Sequence, residues 1–179
     1  VSAPGVSAAA RRPVTAAATR RTPYAAVSLL DVAVDVFNER GYDGTSMEDL
    51  ARAAGISKSS FYHHVDGKEA LLAAACERAL SALTAIRDDP LVHEGRAVDR
   101  LEHVLRLTTQ ALLAELPYVT LLLRVRGNTT TEKKALERRR EFDRFAASLV
   151  SQAIADGDLR SDIDPAVATK LVFGLVNSL

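Results

Sequence analysis

The sequence predicts an all-α protein, and three observations support that fold class. Alanine, leucine, arginine and glutamate dominate the 179 residues, whereas tryptophan is absent and aromatic residues make up only 5%. Apolar residues recur at helical spacing in several segments. Cap residues, glycine and proline stand between those segments, where helices begin and end. Because 47% of the residues are apolar, the chain can fill a sizeable core, and we expect about nine helices.

The first predicted helix runs from about Tyr24 to Arg40. It carries an apolar stripe and an acidic stripe on opposite faces, as a helix on the surface of a core does. The apolar stripe consists of Val27, Leu30, Val34 and Phe37, and the acidic stripe consists of Asp31, Asp35 and Glu39. Gly41 follows as the residue that ends the helix.

A second and a third helix follow, with a tight turn between them. Thr45 and Glu48 have the spacing of a capping box and predict the start of the second helix. Gly55 can adopt a positive φ, so the helix can stop there and the chain can reverse. Ser57 then opens a very short third helix. A helix, a glycine turn and a second helix are the parts of a helix-turn-helix, which inserts its second helix into the major groove of DNA.

The third predicted helix has one buried and one exposed side. A helix this short is unstable alone in water, so Phe61 must hold it against the neighbouring helices. Its outward residues are rich in hydrogen-bond donors that suit phosphates and base edges, and they are Lys58, Ser59, Ser60, Tyr62 and His63. If the turn is considered alone, the alternative to DNA binding is a solvated polar face on an ordinary helical domain. The helix signals on both sides favour DNA binding.

The fourth predicted helix connects the two parts of the chain. Asp66 and Glu69 have capping-box spacing, and the apolar pattern continues to about Ile86. We predict a DNA-binding domain at residues 23–70, called the head, and a helical domain at residues 71–179, called the body. One long helix would then transmit the state of the body to the head.

Further helices are predicted in the body, and four of them can be bounded. They cover about 96–115, 117–125 and 130–156, and the last begins at Asp164-Pro165. Thr129 and Glu132 form a capping box at the start of the third of these. The segment from Tyr118 to Val125 has almost no polar face, which predicts a helix buried on all sides.

The last two helices are both amphipathic. The final helix is expected to turn Val167, Leu171, Val172, Leu175 and Val176 inward. This pattern fits a two-fold four-helix dimer interface, and it equally fits a core within one chain. The helix is predicted to reach Leu179 with no glycine stop, so we expect the natural protein to continue beyond that residue.

Several motifs of the head resemble the N-terminal domain of the tetracycline-repressor (TetR) family. The resemblance covers about Pro23 to Ala79, keeps every interval, and is carried by Phe37-Asn38-Glu39-Arg40-Gly41-Tyr42, Thr45-Ser46-Met47, Ile56-Ser57-Lys58, Phe61-Tyr62-His63-His64 and Lys68-Glu69-Ala70-Leu71. It implies an all-α homodimer with a DNA-binding head and a body that binds a small molecule. Val65 departs from the family, which usually has phenylalanine there, so we expect looser packing at that position.

The resemblance also implies roles for individual residues of the head. Thr45 and Ser46 would contact phosphate at the start of the second helix. Lys58, Ser59, Ser60 and His63 would face base edges. The DNA backbone would be contacted by Tyr62, His64 and Lys68. The implied target is a pseudo-palindromic operator in double-stranded DNA.

The body is expected to hold the effector. Arg124 and Arg126 follow a very apolar segment, where they are either solvated at a frayed end or anchor an anionic ligand. The predicted effector contacts are His103, Thr108, Tyr118, Leu122, Arg124 and Phe145. Residues 155–165 weakly resemble a connection in family members that sense acyl-CoA, which makes an amphiphilic, phosphate-bearing effector a hypothesis. Six cations in the first half of the helix predicted at 130–156 fit that hypothesis, although a solvated charged face is the favoured interpretation. They are Lys133, Lys134, Arg138, Arg139, Arg140 and Arg144.

The net charge of zero conceals an uneven distribution along the chain. Residues 1–22 carry four arginines and no acid, and their composition predicts a basic arm that is disordered when free. These arginines would follow phosphates or enter the minor groove, or the arm is simply solvated. Between Tyr24 and Ala70, four cations and eight acids give a net charge of −4. The few cations of the head must therefore lie on one side if it binds DNA.

The remaining patterns narrow the class of protein. The four histidines lack metal-ligand spacing and no nucleophile, phosphate-loop or dinucleotide motif occurs, so we expect no enzyme, metal or cofactor. Cys76 lies among leucines and alanines, which predicts a buried thiol. No apolar run is long enough to cross a bilayer, and we expect a cytoplasmic protein. The favoured function is a repressor released by an effector; the alternative is a DNA-bound adaptor controlled by a partner protein.

Overall fold

The computed structural model describes residues 26–178, and this part of the chain is all helical. The α-helices are α1 (Ala26–Arg40), α2 (Met47–Ala53), α3 (Lys58–Tyr62), α4 (Lys68–Asp88), α5 (Ala97–Ala114), α6 (Leu116–Arg124), α7 (Thr130–Ala155) and α8 (Pro165–Val176). A short 3-10 turn at Pro90–Val92, which the pattern did not predict, follows α4. The predicted all-α fold class is confirmed. The arm at residues 1–22 lies outside the described residues.

The three helices of the head pack around a core that continues into α4. Phe37 of α1, Leu50 of α2, Phe61 of α3 and Leu72 of α4 are all almost fully buried. Gly55 adopts a φ of +67°, so the reversal between α2 and α3 takes the predicted left-handed conformation. The same core includes residues of α6 and α7, so apolar packing continues across the predicted boundary at residue 70.

Two of the predicted helix caps are wrong. At α2 the capping box is formed by Ser46 and Asp49, one residue after the predicted Thr45 and Glu48. Thr45 is instead buried, and its hydroxyl donates a 2.7 Å hydrogen bond to the carbonyl of Gly41. The Thr45 hydroxyl therefore bonds a residue four positions earlier, and the adjacent serine caps the helix.

The start of α4 differs in a similar way. Its N-cap is Gly67, with no side-chain cap, and Glu69 accepts a 2.9 Å hydrogen bond from Thr131 of α7 instead of closing a box with Asp66. The other predicted caps are confirmed. They are Ser57 at α3, the Thr129–Glu132 box at α7 and Asp164 before Pro165 at α8.

The long helix α4 crosses the predicted boundary at residue 70. Its 21 residues span about 32 Å at the usual helical rise. Arg78, near its middle, lies 3.7 Å from Asp31 of α1 and 2.7 Å from Glu115 at the α5–α6 junction. Arg78 therefore contacts both α1 and the α5–α6 junction.

The body has a second core, which the last two helices help to form. Val104 of α5, Phe142 and Leu149 of α7, and Phe173 of α8 are its main side chains. The prediction that α6 is buried on all sides is wrong, because only three of its residues are buried, namely Tyr118, Leu121 and Leu122. No helix within residues 26–178 is long and apolar enough to cross a membrane.

The final helix faces the opposite way from the prediction. Four of the five residues expected to point inward are exposed, with Leu171 at 69% and Leu175 at 74%. Only Thr169 and Phe173 of α8 are buried, because these two lie on the face that packs against α7. The helix ends at Val176, and Leu179 lies outside the described residues.

Candidate nucleic-acid interface and effector site

The exposed edge of α3 is the candidate DNA-contacting surface. Phe61 is fully buried, and this single anchor fixes the rotation of the short helix. The side chains of Lys58, His63 and His64 are exposed as a result, and Tyr62 is 51% exposed. The sequence predicted this division into a buried and an exposed side, and the structure shows it.

Three serines organise the first turn of α3. The Ser57 hydroxyl accepts a 3.1 Å hydrogen bond from the Ser60 amide, and it lies 3.1 Å from the Ser59 hydroxyl. Ser57 and Ser59 are exposed, and Ser60 is half-buried. A helix N-terminus with exposed hydroxyls and a lysine presents several donors to a polyanion, which suits contact with phosphates and base edges.

Two predicted backbone-contacting residues are engaged inside the head. Thr45 is buried and donates to a carbonyl, which does not fit the phosphate contact that was expected of its side chain. The Lys68 ammonium group donates to the carbonyls of Tyr42 (2.8 Å) and Thr45 (2.9 Å) and lies 4.3 Å from the centre of the Tyr42 ring. It therefore holds the α1–α2 turn in place, and one of its three donors is left for an external group.

Several of the eight acids of the head interact with partners outside α3. Asp31 interacts with Arg78, Asp43 with Asn128 and Glu69 with Thr131. Asp49 pairs with Arg40 and Arg52, and its hydrogen bonds to Ser46 lower its pKa. These four acids are engaged by other groups, and Lys58 is the cation that the exposed edge of α3 presents.

The body contains a small cavity between α4, α5, α6, α7 and α8. Its volume is about 60 Å³, which holds one or two water molecules and is far below the usual size of a ligand site. Most of its lining is apolar, but Thr108, Arg139, Asp143 and Asn177 also reach it. Burial raises the pKa of Asp143, and the nearby Arg139 partly opposes that shift.

Only two of the six predicted effector residues line this cavity, namely Thr108 and Leu122. His103 instead lies 3.4 Å from Asp89 and 2.6 Å from Arg106. Phe145 packs beside His93 and Phe142. Arg124 donates to the backbone carbonyl of Asn38 in the head, outside the cavity. Helical periodicity did not resolve which way each of these side chains points.

Tyr118 belongs to a contact between head and body that the sequence did not predict. Its hydroxyl donates to Asp31 of α1 and accepts a 3.0 Å hydrogen bond from Arg78, whose guanidinium lies 4.1 Å from the centre of the tyrosine ring. Burial and the Asp31 carboxylate raise the pKa of Tyr118 to about 12. This residue therefore links the two parts instead of lining the cavity.

A second cavity lies between α5, α7 and α8. Its volume is about 220 Å³, and its walls are formed almost wholly by apolar side chains, among them Leu101, Leu105, Val150 and Phe173. None of the six predicted effector residues lines it. Buried Cys76, whose pKa burial raises to about 11, lines neither cavity and packs in the core as predicted.

Comparison with protein families gives two matches along the chain. Residues 29–75 match the family described as bacterial regulatory proteins, tetR family. Residues 94–179 match the family described as tetracyclin repressor-like, C-terminal domain. A curated relative, the biofilm operon icaADBC HTH-type negative transcriptional regulator IcaR of Staphylococcus epidermidis, is 36% identical over 53 residues, which cover 30% of this chain and 29% of IcaR.

Two solved structures resemble almost the whole fold. SCO3833, a member of the TetR transcriptional regulator family from Streptomyces coelicolor A3, is 60% identical with a TM-score of 0.82, covering 89% of this chain and 78% of SCO3833. AibR in complex with isovaleryl coenzyme A and operator DNA is 26% identical with a TM-score of 0.70, covering 85% and 83% of the two chains. With the helix-turn-helix geometry described above, these matches establish that the chain belongs to the TetR family of transcriptional regulators and is not an enzyme.

Proposed function

We propose that the protein represses transcription by binding a pseudo-palindromic operator, and that a small-molecule effector releases it. The observation that carries the proposal is the exposed edge of α3, where Lys58, Tyr62 and His63 project from a helix anchored by buried Phe61. The partial relative IcaR is a negative regulator, which favours repression. Such a protein would work on the chromosome in the bacterial cytoplasm.

Operator binding would require a homodimer, and α8 offers the surface for it. Val167, Leu171 and Leu175 form an exposed apolar row on one face, at helical spacing. Pairing of this face with its copy, together with α7, would bury the row in a four-helix interface. The two α3 helices would then contact successive major grooves, about 34–36 Å apart.

The effector would act through α4. A ligand that enters the small body cavity must enlarge it, because a volume of about 60 Å³ admits no metabolite. Separation of α4 from α6 and α7 would tilt the head through Arg78 and change the spacing between the two α3 helices. A ligand that binds the state with separated helices more tightly than the closed state shifts the protein towards the separated state. Operator affinity then falls by the ratio of the two ligand affinities. AibR binds isovaleryl coenzyme A, and an acyl-CoA or another amphiphile is the effector class that we propose.

A second candidate function is a DNA-bound adaptor that is regulated by a partner protein. The exposed apolar row on α8 favours it, because such a patch also suits a heterologous partner. The two candidates differ in the oligomeric state of the isolated protein. A dimer that becomes monomeric in Leu171→Glu supports pairing of α8 with its copy, and a wild-type monomer supports the adaptor.

Selection of bound sequences from a random DNA pool tests the proposed function. We expect enrichment of an inverted repeat, followed by release of that DNA when a thermal-shift screen has identified an effector. The absence of any enriched sequence would contradict the proposal. Enrichment of a single half-site would contradict the proposed dimer but not DNA binding.

A further inference from the structure

A cleft separates the head from the body on the side where α1 and α6 end. One wall consists of the end of α1 and the following turn, Arg40–Gly44, and the other consists of Leu123–Arg126 and Asn128. Its volume is about 640 Å³, which is within the range of small-molecule sites and about ten times that of the body cavity. We call it the junction cleft.

Three arginines line the junction cleft. Arg40 reaches it from the head, and Arg124 and Arg126 reach it from the body. Arg126 is exposed and has no hydrogen-bond or ion-pair partner among residues 26–178. Arginine is the side chain that best matches phosphate, because its planar guanidinium donates two parallel hydrogen bonds.

Two carboxylates also line the junction cleft, and both have partners. Glu132 is buried and accepts hydrogen bonds from the backbone amides of Asn128 and Thr129 as part of the α7 capping box. Asp43 accepts a 3.3 Å hydrogen bond from the side-chain amide of Asn128. Arg40 pairs with Asp49 and Arg124 donates to the Asn38 carbonyl, so Arg126 is the arginine of the cleft that has no partner among residues 26–178.

Apolar and aromatic side chains form the rest of the surface. Phe37 and Tyr42 pack edge to face at 5.3 Å, and Leu121 and Val125 lie beside them. A site with an apolar floor and a few convergent cations suits a molecule that has both an anionic group and an uncharged part.

We propose that the junction cleft binds a phosphate-bearing small molecule, with its phosphate against Arg124 and Arg126. This site is separate from the body cavity that the proposed function assigns to the effector. The cleft walls are joined by two contacts, Arg124 to the Asn38 carbonyl and Asn128 to Asp43. A bound phosphate competes for Arg124, so occupancy loosens a contact that fixes the head to the body.

Isothermal titration calorimetry of the full chain, without DNA, tests the site. The probes are coenzyme A and metal-free ATP, which present phosphate on two different molecules, and the phosphate-free controls are pantetheine and adenosine. We expect micromolar binding of at least one phosphate-bearing probe and none of either control. Binding of coenzyme A alone or ATP alone identifies which class of molecule the cleft accepts.

Two variants show whether the binding occurs in the junction cleft. Arg126→Gln removes a charge-assisted contact and is expected to weaken binding about tenfold or more. Lys134→Gln is the matched control, because Lys134 is an exposed cation of α7 that does not line the cleft. A thermal melt of each variant confirms folding.

Two outcomes overturn the proposal. They are no binding of either phosphate-bearing probe, and equal affinities of wild type and Arg126→Gln for the probe that binds. Because the titration contains no DNA, a failure of the repressor assignment leaves its result unchanged.

Discussion

The head and the body differ in how their functional surfaces are built. On the edge of α3, one buried side chain, Phe61, orients every exposed residue of a five-residue helix. The body cavity, by contrast, is bounded by five helices, and its polar lining comes from residues as far apart as Thr108 and Asn177. A surface made by one local motif is specified by neighbouring residues, whereas a cavity depends on how distant helices pack.

Removal of the α3 anchor tests the local side of this comparison and has the largest expected effect. Phe61→Ala leaves a cavity in the core and should cost about 3–5 kcal/mol of unfolding free energy. Chemical denaturation measures the loss, and DNA binding should disappear with it. Tyr62→Phe is the control, since half of this side chain is exposed and stability should hardly change. Equal stability losses in the two variants would contradict the anchor.

Loss of Ser46, the residue that caps α2, has the next largest expected effect on stability. Ser46→Ala removes the hydroxyl that accepts from the Asp49 amide and should cost about 1 kcal/mol. Glu48→Gln should cost far less, because Glu48 is exposed and lies outside the box. Denaturation midpoints measure both variants. A larger loss for Glu48→Gln than for Ser46→Ala would restore the capping box that the sequence predicted.

Loss of the hydrogen bond between Tyr118 and Asp31 has a smaller expected effect on the free energy of unfolding. Tyr118→Phe removes a hydrogen bond to partly exposed Asp31 and should cost about 0.5–1.5 kcal/mol. Effector affinity should not fall once an effector is known, because Tyr118 does not line the body cavity and its bond to Arg78 opposes the proposed separation of α4 from α6. A tenfold loss of effector affinity at unchanged stability would instead return Tyr118 to the ligand site.

The smallest expected effect concerns the buried carboxylate of the cavity. Burial raises the pKa of Asp143, so the folded state binds more protons than the unfolded state just above the ordinary aspartate pKa. Stability then falls as the pH rises through that window, and the penalty remains at neutral pH. Asp143→Asn should therefore raise the melting temperature slightly at pH 7 and not at pH 3. A lower melting temperature at pH 7 would show that the attraction to Arg139 outweighs burial.

Local signals predicted the head well. Gly55, Ser57 and Phe61 each act within a few residues, so the turn, the cap and the buried face could be inferred without knowing the rest of the fold. Thr45 and Ser46 show where this reasoning ends. Each is followed three residues later by an acid, but in the structure Ser46 caps α2 and the Thr45 hydroxyl bonds the Gly41 carbonyl.

The body shows why long-range contacts were missed. Tyr118 meets Asp31 across 87 positions, and no pattern near either residue announces that contact. The α8 pattern was assigned the wrong direction, because an apolar face looks the same whether it packs inside the chain or stays exposed. His103 and Phe145 were placed on the correct helices, but helix periodicity alone does not show which neighbour each side chain meets.

The most direct test of the central claim is the affinity of Lys58→Ala for its selected operator and for random DNA. If the edge of α3 reads base pairs, the variant loses affinity for the operator, by about 1–3 kcal/mol where Lys58 contacts a guanine, and much less for random DNA. Fluorescence anisotropy at one fixed salt concentration gives both values. Equal losses on the two DNAs would contradict base reading by Lys58 and reduce its role to contact with the backbone.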